Sequence, residues 1–214
     1  MLLGLTGGYC AGKNAAAAIL EGRGWNCIDV DKLGHAAIDR AADAIAARFG
    51  ASILGADGKV DRKALAAIVF ADKRALADQE AIVHPLAVRM IDELLAELAA
   101  KASGDGREPL VCLNAALLYV APQAALCDAI IELRAPLALR LKRAQARDGA
   151  ALPVALRRIE RQRGLWRRRA STGRPVVFVD NRGSREELES ALERGLSEAR
   201  ERAARLPLGR LELS

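Results

Sequence analysis

Gly7-Gly8-Tyr9-Cys10-Ala11-Gly12-Lys13-Asn14 separates an apolar run from an alanine-rich segment near the N-terminus. The run 2–6 is typical of a buried strand, and 13–21 is typical of a helix. The spacing G-x-x-x-x-G-K is that of a phosphate-binding loop, in which small residues let backbone N–H groups turn toward phosphates at a helix N-terminus. The stretch therefore predicts a strand, a phosphate loop and a helix. The alternative is a glycine-rich turn beside a surface lysine.

Lys13 and Asn14 carry the chemistry of this loop. Lys13 is placed to reach the β- and γ-phosphates of a bound nucleotide. Asn14 stands where the motif has Ser or Thr, whose hydroxyl ligates Mg²⁺; because an amide oxygen is also a hard ligand, Asn14 is our candidate Mg²⁺ ligand. The candidate ATP contacts in the loop are Gly8, Tyr9, Cys10, Ala11, Gly12, Lys13, Asn14 and Ala15.

Strand-like and helix-like segments alternate through the rest of the chain. The strand-like runs are 2–6, 27–30, 110–113, 129–133 and 176–179. Continuous apolar strands separated by helices are typical of a parallel sheet covered on both faces. The sequence predicts an α/β P-loop fold with five strands in one domain, 1–214. Two segments break the alternation: a helical insertion at about 49–101 and a basic lid at about 149–172, both over the carboxyl edge of the sheet where ligands bind.

Local signals set several helix boundaries. The stretch 32–48 is predicted as one helix and 154–170 as another. Asp61 is predicted to cap a helix, and Ser184 with Glu187 to form a capping box. A long helix over 72–101 is expected to break at His84-Pro85, because proline disfavours the α region in the residue before it.

Composition favours a globular protein and argues against a zinc-binding or membrane-spanning one. The 214 residues are 51% hydrophobic and carry a net charge of +6, which favours a globular protein with an anionic partner. Four cysteines without a C-x-x-C pair argue against a structural zinc site and suit a reducing, cytoplasmic compartment. The uncharged stretch 110–127 contains Asn114 and Pro122, so a buried strand followed by a helix fits it better than a membrane span.

Two carboxylates end the second predicted strand. Asp29 and Asp31 are two residues apart, at the edge expected to face the phosphate loop. Carboxylates in this position can act as a general base toward a hydroxyl and as water-mediated partners of Mg²⁺. Alternatively, Asp31 only caps the helix that begins at Lys32.

The predicted lid is rich in arginine. The arginines at 157, 158, 161, 163, 167, 168 and 169 fall within 13 residues, and on a continuous helix 157, 161 and 168 would share a face, as would 158 and 169. Guanidinium groups can bind phosphate oxygens in pairs, and Arg158 is our candidate substrate contact. The alternatives are a solvated basic face and a nucleic-acid surface. Only 3% of residues are aromatic, which counts against nucleic acid.

The ordered set of motifs resembles the dephospho-coenzyme A kinases over nearly the whole chain. The matching residues are 4–8 with Gly12-Lys13, 28–31, Phe49-Gly50, 56–65, 68–70, His84-Pro85, 141–143 with Arg147-Asp148, and 179–181. The resemblance implies an ATP- and Mg²⁺-dependent kinase that phosphorylates the ribose 3′-hydroxyl of dephospho-coenzyme A, without a membrane or nucleic-acid partner.

The resemblance also implies roles for individual residues. Asp31 would be the catalytic base with Asp29 beside it, and Lys13 would act on the ATP phosphates. On the coenzyme side would lie Arg62, Lys63 and His84, and on the ATP side Arg143, Arg147 and Asn181.

Three departures keep other functions open. Asn14 replaces Ser/Thr, Tyr9-Cys10-Ala11 replaces smaller residues, and 116–120 lacks the usual acidic residue. The alternatives are a nucleoside or nucleoside-monophosphate kinase, a nucleotide-binding regulator without turnover, and a basic RNA-binding module.

Overall fold

A parallel five-stranded sheet forms the centre of the fold. The computed structural model describes residues 1–106 and 108–206, so the end of the predicted domain, 207–214, lies outside the described residues. The strands are β1 (Leu2–Gly7), β2 (Asn26–Asp29), β3 (Val111–Asn114), β4 (Ala129–Arg134) and β5 (Val176–Asp180). Their order is β2-β3-β1-β4-β5, which confirms the predicted α/β class. Leu3 of β1 pairs with Cys112 of β3 and Ala129 of β4.

The first helix, α1 (Lys13–Glu21), and the last, α8 (Arg185–Ala204), cover one face of the sheet. Leu3, Leu5, Leu20 and Leu192 are fully buried there. The α8 helix approaches β5 closely, since a Cβ atom on Gly195 would lie 2.5 Å from Cγ2 of Val179. The predicted capping box of Ser184 and Glu187 begins α8 as expected.

Two short 3₁₀ helices, Leu118–Val120 and Pro122–Leu126, lie over the other face. A Cβ atom on Gly4 of β1 would lie 2.7 Å from Cδ2 of Leu118 and 3.2 Å from Sγ of Cys127, so this glycine lets the 3₁₀ segment approach the strand. The stretch 110–127 is thus a buried strand followed by 3₁₀ turns. In the part of the chain that is described, no helix has both the length and the hydropathy needed to cross a membrane.

The chain divides into two compact units, one of Met1–Ile28 with the chain from Ala102 onward, and one of Asp29–Lys101. The second unit contains the segment 49–101, which was predicted as a helical insertion, together with residues 29–48. It contains α2 (Val30–Arg40), α3 (Ala42–Phe49), α4 (Arg62–Ala71) and α5, which is Lys73–Gly104 and extends past the boundary. Residues of all four helices share a core, including Ala37, Ile45, Leu65 and Val83.

Two predicted helix boundaries in the second unit are wrong. The stretch 32–48 is two helices that meet at Ala41, not one. The α5 helix continues through Pro85 without the predicted break. Val83 and Met90, one on each side of the proline and seven residues apart on one helical face, are both buried in the unit core. We infer that this packing offsets the roughly 3 kcal/mol that an interior proline costs a helix.

The lid is also not one helix. After α6 (Leu137–Asp148), α7 spans Leu152–Arg161 and is followed by 3₁₀ segments at Arg163–Arg168 and Ala170–Thr172. Gly164 weakens a helix here by about 1 kcal/mol. The side chains of Gln162 and Arg169 are each bound to another part of the unit, which fixes the backbone between them. Because α7 ends at Arg161, Arg168 does not share a helical face with the arginines at 157 and 161, and Arg169 does not share one with Arg158.

Candidate active site

The phosphate loop occupies residues 8–12, between β1 and α1. Gly12 has φ +105°, and a Cβ atom on it would lie 2.0 Å from Nδ2 of Asn181, so both backbone and space require glycine there. Cys10 adopts φ +58°, a left-handed conformation that costs a non-glycine residue about 1 kcal/mol or more. The loop thus has the backbone of an anion-binding turn leading into a helix, as the motif predicts.

A buried asparagine joins the two polar residues that begin α1. Nζ of Lys13 donates to Oδ1 of Asn114 at 3.3 Å, and Nδ2 of Asn114 donates to Oδ1 of Asn14 at 3.3 Å. Asn114 ends β3 and is 4% exposed. Asn114 was not predicted as a site residue, although it carries a signal: a polar side chain at the end of an apolar strand, next to β1 in a parallel sheet.

Asn181, a candidate ATP contact, binds the loop itself. Its Nδ2 donates to the carbonyl oxygen of Ala11 at 2.9 Å, and its Oδ1 accepts from Nη2 of Arg143 at 2.9 Å. The amide is 4% exposed and both of its polar atoms are used within the protein. Asn181 therefore supports the loop and orients Arg143, and its contact with ATP stays a prediction.

Tyr9, Arg147, Asp148 and Arg158 form what we call the Asp148 cluster. The hydroxyl of Tyr9 donates to Oδ2 of Asp148 at 2.6 Å and accepts from Nη1 of Arg158 at 2.8 Å. Arg147 donates to both oxygens of Asp148, at 2.7 and 2.8 Å. These bonds, that from Arg147 first, hold the pKa of the Asp148 carboxyl well below its usual range. Two candidate residues, Arg147 and Arg158, are thus gathered at the phosphate loop.

A second group of the same chemistry lies on the sheet. The Glu132 cluster consists of Glu132, Tyr119, Arg169 and Arg134, whose Nε donates to Oε1 of Glu132 at 3.5 Å. Arg169 donates to both oxygens of Glu132, at 2.5 and 2.7 Å, and the Tyr119 hydroxyl donates to the same carboxylate at 2.9 Å. The Glu132 side chain is only 5% exposed. Arg169, counted above among the phosphate-binding candidates, is committed to this buried ion pair.

Asp29, not Asp31, caps the helix that follows β2. Oδ1 of Asp29 accepts from the backbone N–H of Lys32 at 3.1 Å, and α2 begins at Val30. Asp31 lies inside the first turn of α2 and is exposed. The interpretation of Asp31 as a helix cap is therefore wrong, because Asp29 fills that role.

The three candidates for the coenzyme side lie on α4 and α5 of the second unit. Nη2 of Arg62 donates to Oδ2 of Asp39 at 2.6 Å, which orients the guanidinium from α2. Asp61 accepts from the N–H groups of Lys63 and Ala64 and begins α4 as predicted. The exposed His84 stands one residue before the proline inside α5.

The family model described as dephospho-CoA kinase matches residues 1–187. The chain belongs to the dephospho-CoA kinase family. A dephospho-CoA kinase of Anaeromyxobacter dehalogenans is 38% identical over 210 residues, which is 96% of each chain. One of Geobacter sulfurreducens is 39% identical and covers 90% of this chain and 95% of its own.

Two solved structures share the fold of this chain. The crystal structure of TT1252 from Thermus thermophilus has a TM-score of 0.76 and 31% identity, over 92% of this chain and 97% of that one. Dephospho-CoA kinase from Campylobacter jejuni shares the fold, with a TM-score of 0.66 at 23% identity and coverage of 92% and 96%. The unusual loop residues Asn14 and Tyr9 therefore lie in a chain that keeps the fold of TT1252.

Proposed function

We propose that this protein transfers the γ-phosphoryl group of ATP to the ribose 3′-hydroxyl of dephospho-coenzyme A, which completes coenzyme A biosynthesis. The observation that carries the proposal is the match of the dephospho-CoA kinase family model to residues 1–187. The strand, phosphate loop and helix over residues 2–21 supply the nucleotide-binding element that such a reaction needs.

On the nucleotide side, the loop and its cations bind and orient the phosphates. The N–H groups of Tyr9 and Ala11 are bonded within the protein, and the other backbone N–H groups of the loop bind the phosphates at the N-terminus of α1. Lys13 contacts the β- and γ-oxygens. Arg143, Arg147 and Arg158 add positive charge near the loop, where charge develops during the transfer. The contacts of Asn114 with Lys13, and of Asn181 with Arg143, support these roles.

On the acceptor side, Asp31 removes the proton of the attacking hydroxyl. Its position in the first turn of α2, directly after β2, and the helix-capping role of its neighbour Asp29 support this assignment. Arg62, Lys63 and His84 bind the anionic groups of the coenzyme. Arg62 is oriented for such contacts by its bond to Asp39. Asp29 assists by fixing the start of α2, which carries Asp31.

The chemistry of Asn14 fits a magnesium ion bound with the nucleotide. Asn14 is exposed in the first turn of α1, and its amide oxygen accepts from Asn114 at 3.3 Å with one lone pair. The second lone pair of this oxygen is available to Mg²⁺, directly or through water. When bound, the ion neutralises phosphate charge during the transfer. In a Mg²⁺ titration of activity, Asn14→Ser should behave nearly as the parent protein, whereas Asn14→Leu should need far more Mg²⁺.

The decisive experiment supplies the purified protein with ATP, Mg²⁺ and dephospho-coenzyme A, and identifies the product by mass spectrometry. Asp31→Asn should lower turnover about 10²-fold to 10⁴-fold while ATP binding is kept, because the amide cannot accept the proton. Asp43→Asn is the matched control, since Asp43 is also an exposed acid in the first turn of a helix, α3.

Two of the alternative functions give distinct results in the same assay. Phosphorylation of a nucleoside or nucleoside monophosphate in place of dephospho-coenzyme A would identify the other kinase class. ATP binding without transfer to any acceptor would identify a nucleotide-binding regulator.

A further inference from the structure

Tyr9 connects the phosphate loop to two arginines from different segments. The guanidinium carbons of Arg147 and Arg158 each lie 5.3 Å from the centroid of the Tyr9 ring. Both arginines also bind Asp148, which accepts the Tyr9 hydroxyl. The ring and the hydroxyl of one loop residue thus contact every other member of the Asp148 cluster.

The backbone of Tyr9 is fixed on both sides. Its N–H donates to Oε1 of Gln162 at 2.6 Å, and its carbonyl oxygen accepts from Nε of Arg140 at 2.7 Å. A Cβ atom on Gly8 would lie 2.6 Å from Nη2 of Arg140, so glycine leaves room for this guanidinium. These two bonds hold the Tyr9 backbone, and with it the origin of the side chain, in one position. A residue that positions other groups needs such a fixed backbone.

The charges of the Asp148 cluster suit an anionic ligand. Two guanidinium groups face one carboxylate, which leaves a net positive charge beside the phosphate loop. Burial of its ring, followed by the bond to Asp148, raises the pKa of Tyr9, so its hydroxyl stays protonated as a donor near neutral pH. The carboxylate orients the arginines without cancelling both charges.

We propose that Tyr9 is a positioning residue whose ring and hydroxyl hold Arg147 and Arg158 at the phosphate loop, where they contact the phosphates of the nucleotide. This inference rests on the ATP-binding part of the proposed function. The proposal gives a role to the Tyr9 side chain, which is larger than the residues usual at this position of the loop. The opposing interpretation is an exposed ion-pair cluster of little energetic consequence.

Calorimetric titration with Mg·ATP tests the proposal without the acceptor substrate. Tyr9→Phe keeps the ring but removes a donor to a carboxylate and an acceptor of an arginine, so the Kd of ATP should rise about 5-fold to 10-fold. Tyr9→Leu also removes the ring and should raise the Kd by a further factor of about 3. Thermal unfolding of each variant checks that the fold is kept.

A double-mutant cycle separates positioning from packing. In an Arg158→Ala background, Tyr9→Phe should raise the Kd of ATP less than about 3-fold, because one of its two arginine partners is gone. Tyr119→Phe is the matched control: it also removes a tyrosine hydroxyl bound to a carboxylate, but that carboxylate, Glu132, has no hydrogen bond to the phosphate loop among those described. Its Kd of ATP should stay within about 2-fold of the parent value.

Several results would overturn the inference. An unchanged Kd for Tyr9→Phe, or additive effects in the cycle, would show that Tyr9 does not act through the arginines. Tighter binding by Tyr9→Phe would mean that the cluster competes with the nucleotide. An equal loss in Tyr119→Phe would indicate general loosening. If the parent protein binds ATP but does not phosphorylate dephospho-coenzyme A, the proposed acceptor is wrong while this inference stands. A parent protein that does not bind ATP overturns both.

Discussion

The Asp148 and Glu132 clusters are built from the same groups but differ in burial. Each has a carboxylate bound by an arginine through both oxygens, a tyrosine hydroxyl donating to that carboxylate, and a second arginine. The Asp148 side chain is 27% exposed and contacts the phosphate loop, whereas the Glu132 side chain is 5% exposed and lies on β4. The same ion-pair and hydroxyl contacts therefore act in a buried setting at Glu132 and in an exposed setting at Asp148.

Burial decides what each cluster contributes. Water and salt screen exposed ion pairs, which add little to folding but leave their cations available to ligands. A buried pair cannot lose one partner without stranding the other charge, so it constrains the fold. Arg169 also packs against the rings of Trp166 and Phe178, at 5.4 and 5.5 Å from their centroids. We infer that the Glu132 cluster anchors the end of the lid, and the Asp148 cluster serves the ligand.

The largest expected effect is on stability, in Glu132→Gln. The amide keeps the shape but leaves Arg169 without its counter-charge, which should lower the free energy of unfolding by about 2 to 4 kcal/mol, since Arg169 is partly exposed. Urea unfolding measures this change. Asp148→Asn makes the same substitution in the exposed cluster and should shift the urea midpoint far less. Equal shifts in the two variants would contradict the assignment of roles by burial.

A smaller effect, on activity, is expected from Arg158→Ala. Loss of one charge-assisted contact to phosphate should lower kcat/KM for ATP about 10-fold to 100-fold, with a free energy of unfolding within about 0.5 kcal/mol of the parent. Arg157→Ala is the matched control, because Arg157 is the adjacent exposed arginine and its Nε contacts only the nearby carbonyl of Pro153 among its described hydrogen bonds. If both variants lose activity equally, α7 contributes diffuse charge rather than a specific contact.

The sequence predicts best what depends on neighbouring residues. The phosphate loop follows from glycine spacing between a strand and a helix, and the caps at Asp61 and Ser184 follow from side chains that bond a backbone N–H within three residues. The parallel sheet follows from alternating apolar runs. Each of these features is fixed by local geometry that a short stretch of sequence contains.

Long-range pairs were not predictable in this way. Tyr9 and Asp148 are 139 residues apart, and Glu132 and Arg169 are 37 apart. Nothing local distinguishes Arg169, bound to Glu132, from the exposed Arg168 beside it. The path of α5 through Pro85 is similarly set by tertiary packing, which outweighs the local preference.

The smallest expected effect separates the two tyrosines by pH. Burial, followed by the nearby charge of Glu132, raises the pKa of Tyr119 well above its ordinary value of 10.0. The pKa of Tyr9 is raised as well, by burial of its ring and then by Asp148. In both cases the folded protein retains a proton that the unfolded chain loses above pH 10. The tyrosine contribution to stability is therefore complete below pH 10 and declines as the pH rises.

The decline should come mainly from Tyr119, at no more than about 1.4 kcal/mol per pH unit, which is the limit for one proton. Urea unfolding at a series of alkaline pH values measures this slope. Tyr119→Phe should flatten it, whereas Tyr9→Phe should leave it nearly unchanged, because the Tyr9 hydroxyl lies in the exposed cluster. If Tyr9→Phe flattens the slope of unfolding free energy against pH more than Tyr119→Phe does, Tyr9 is the more strongly buried tyrosine. That result would contradict the assignment of the Asp148 cluster as the exposed one.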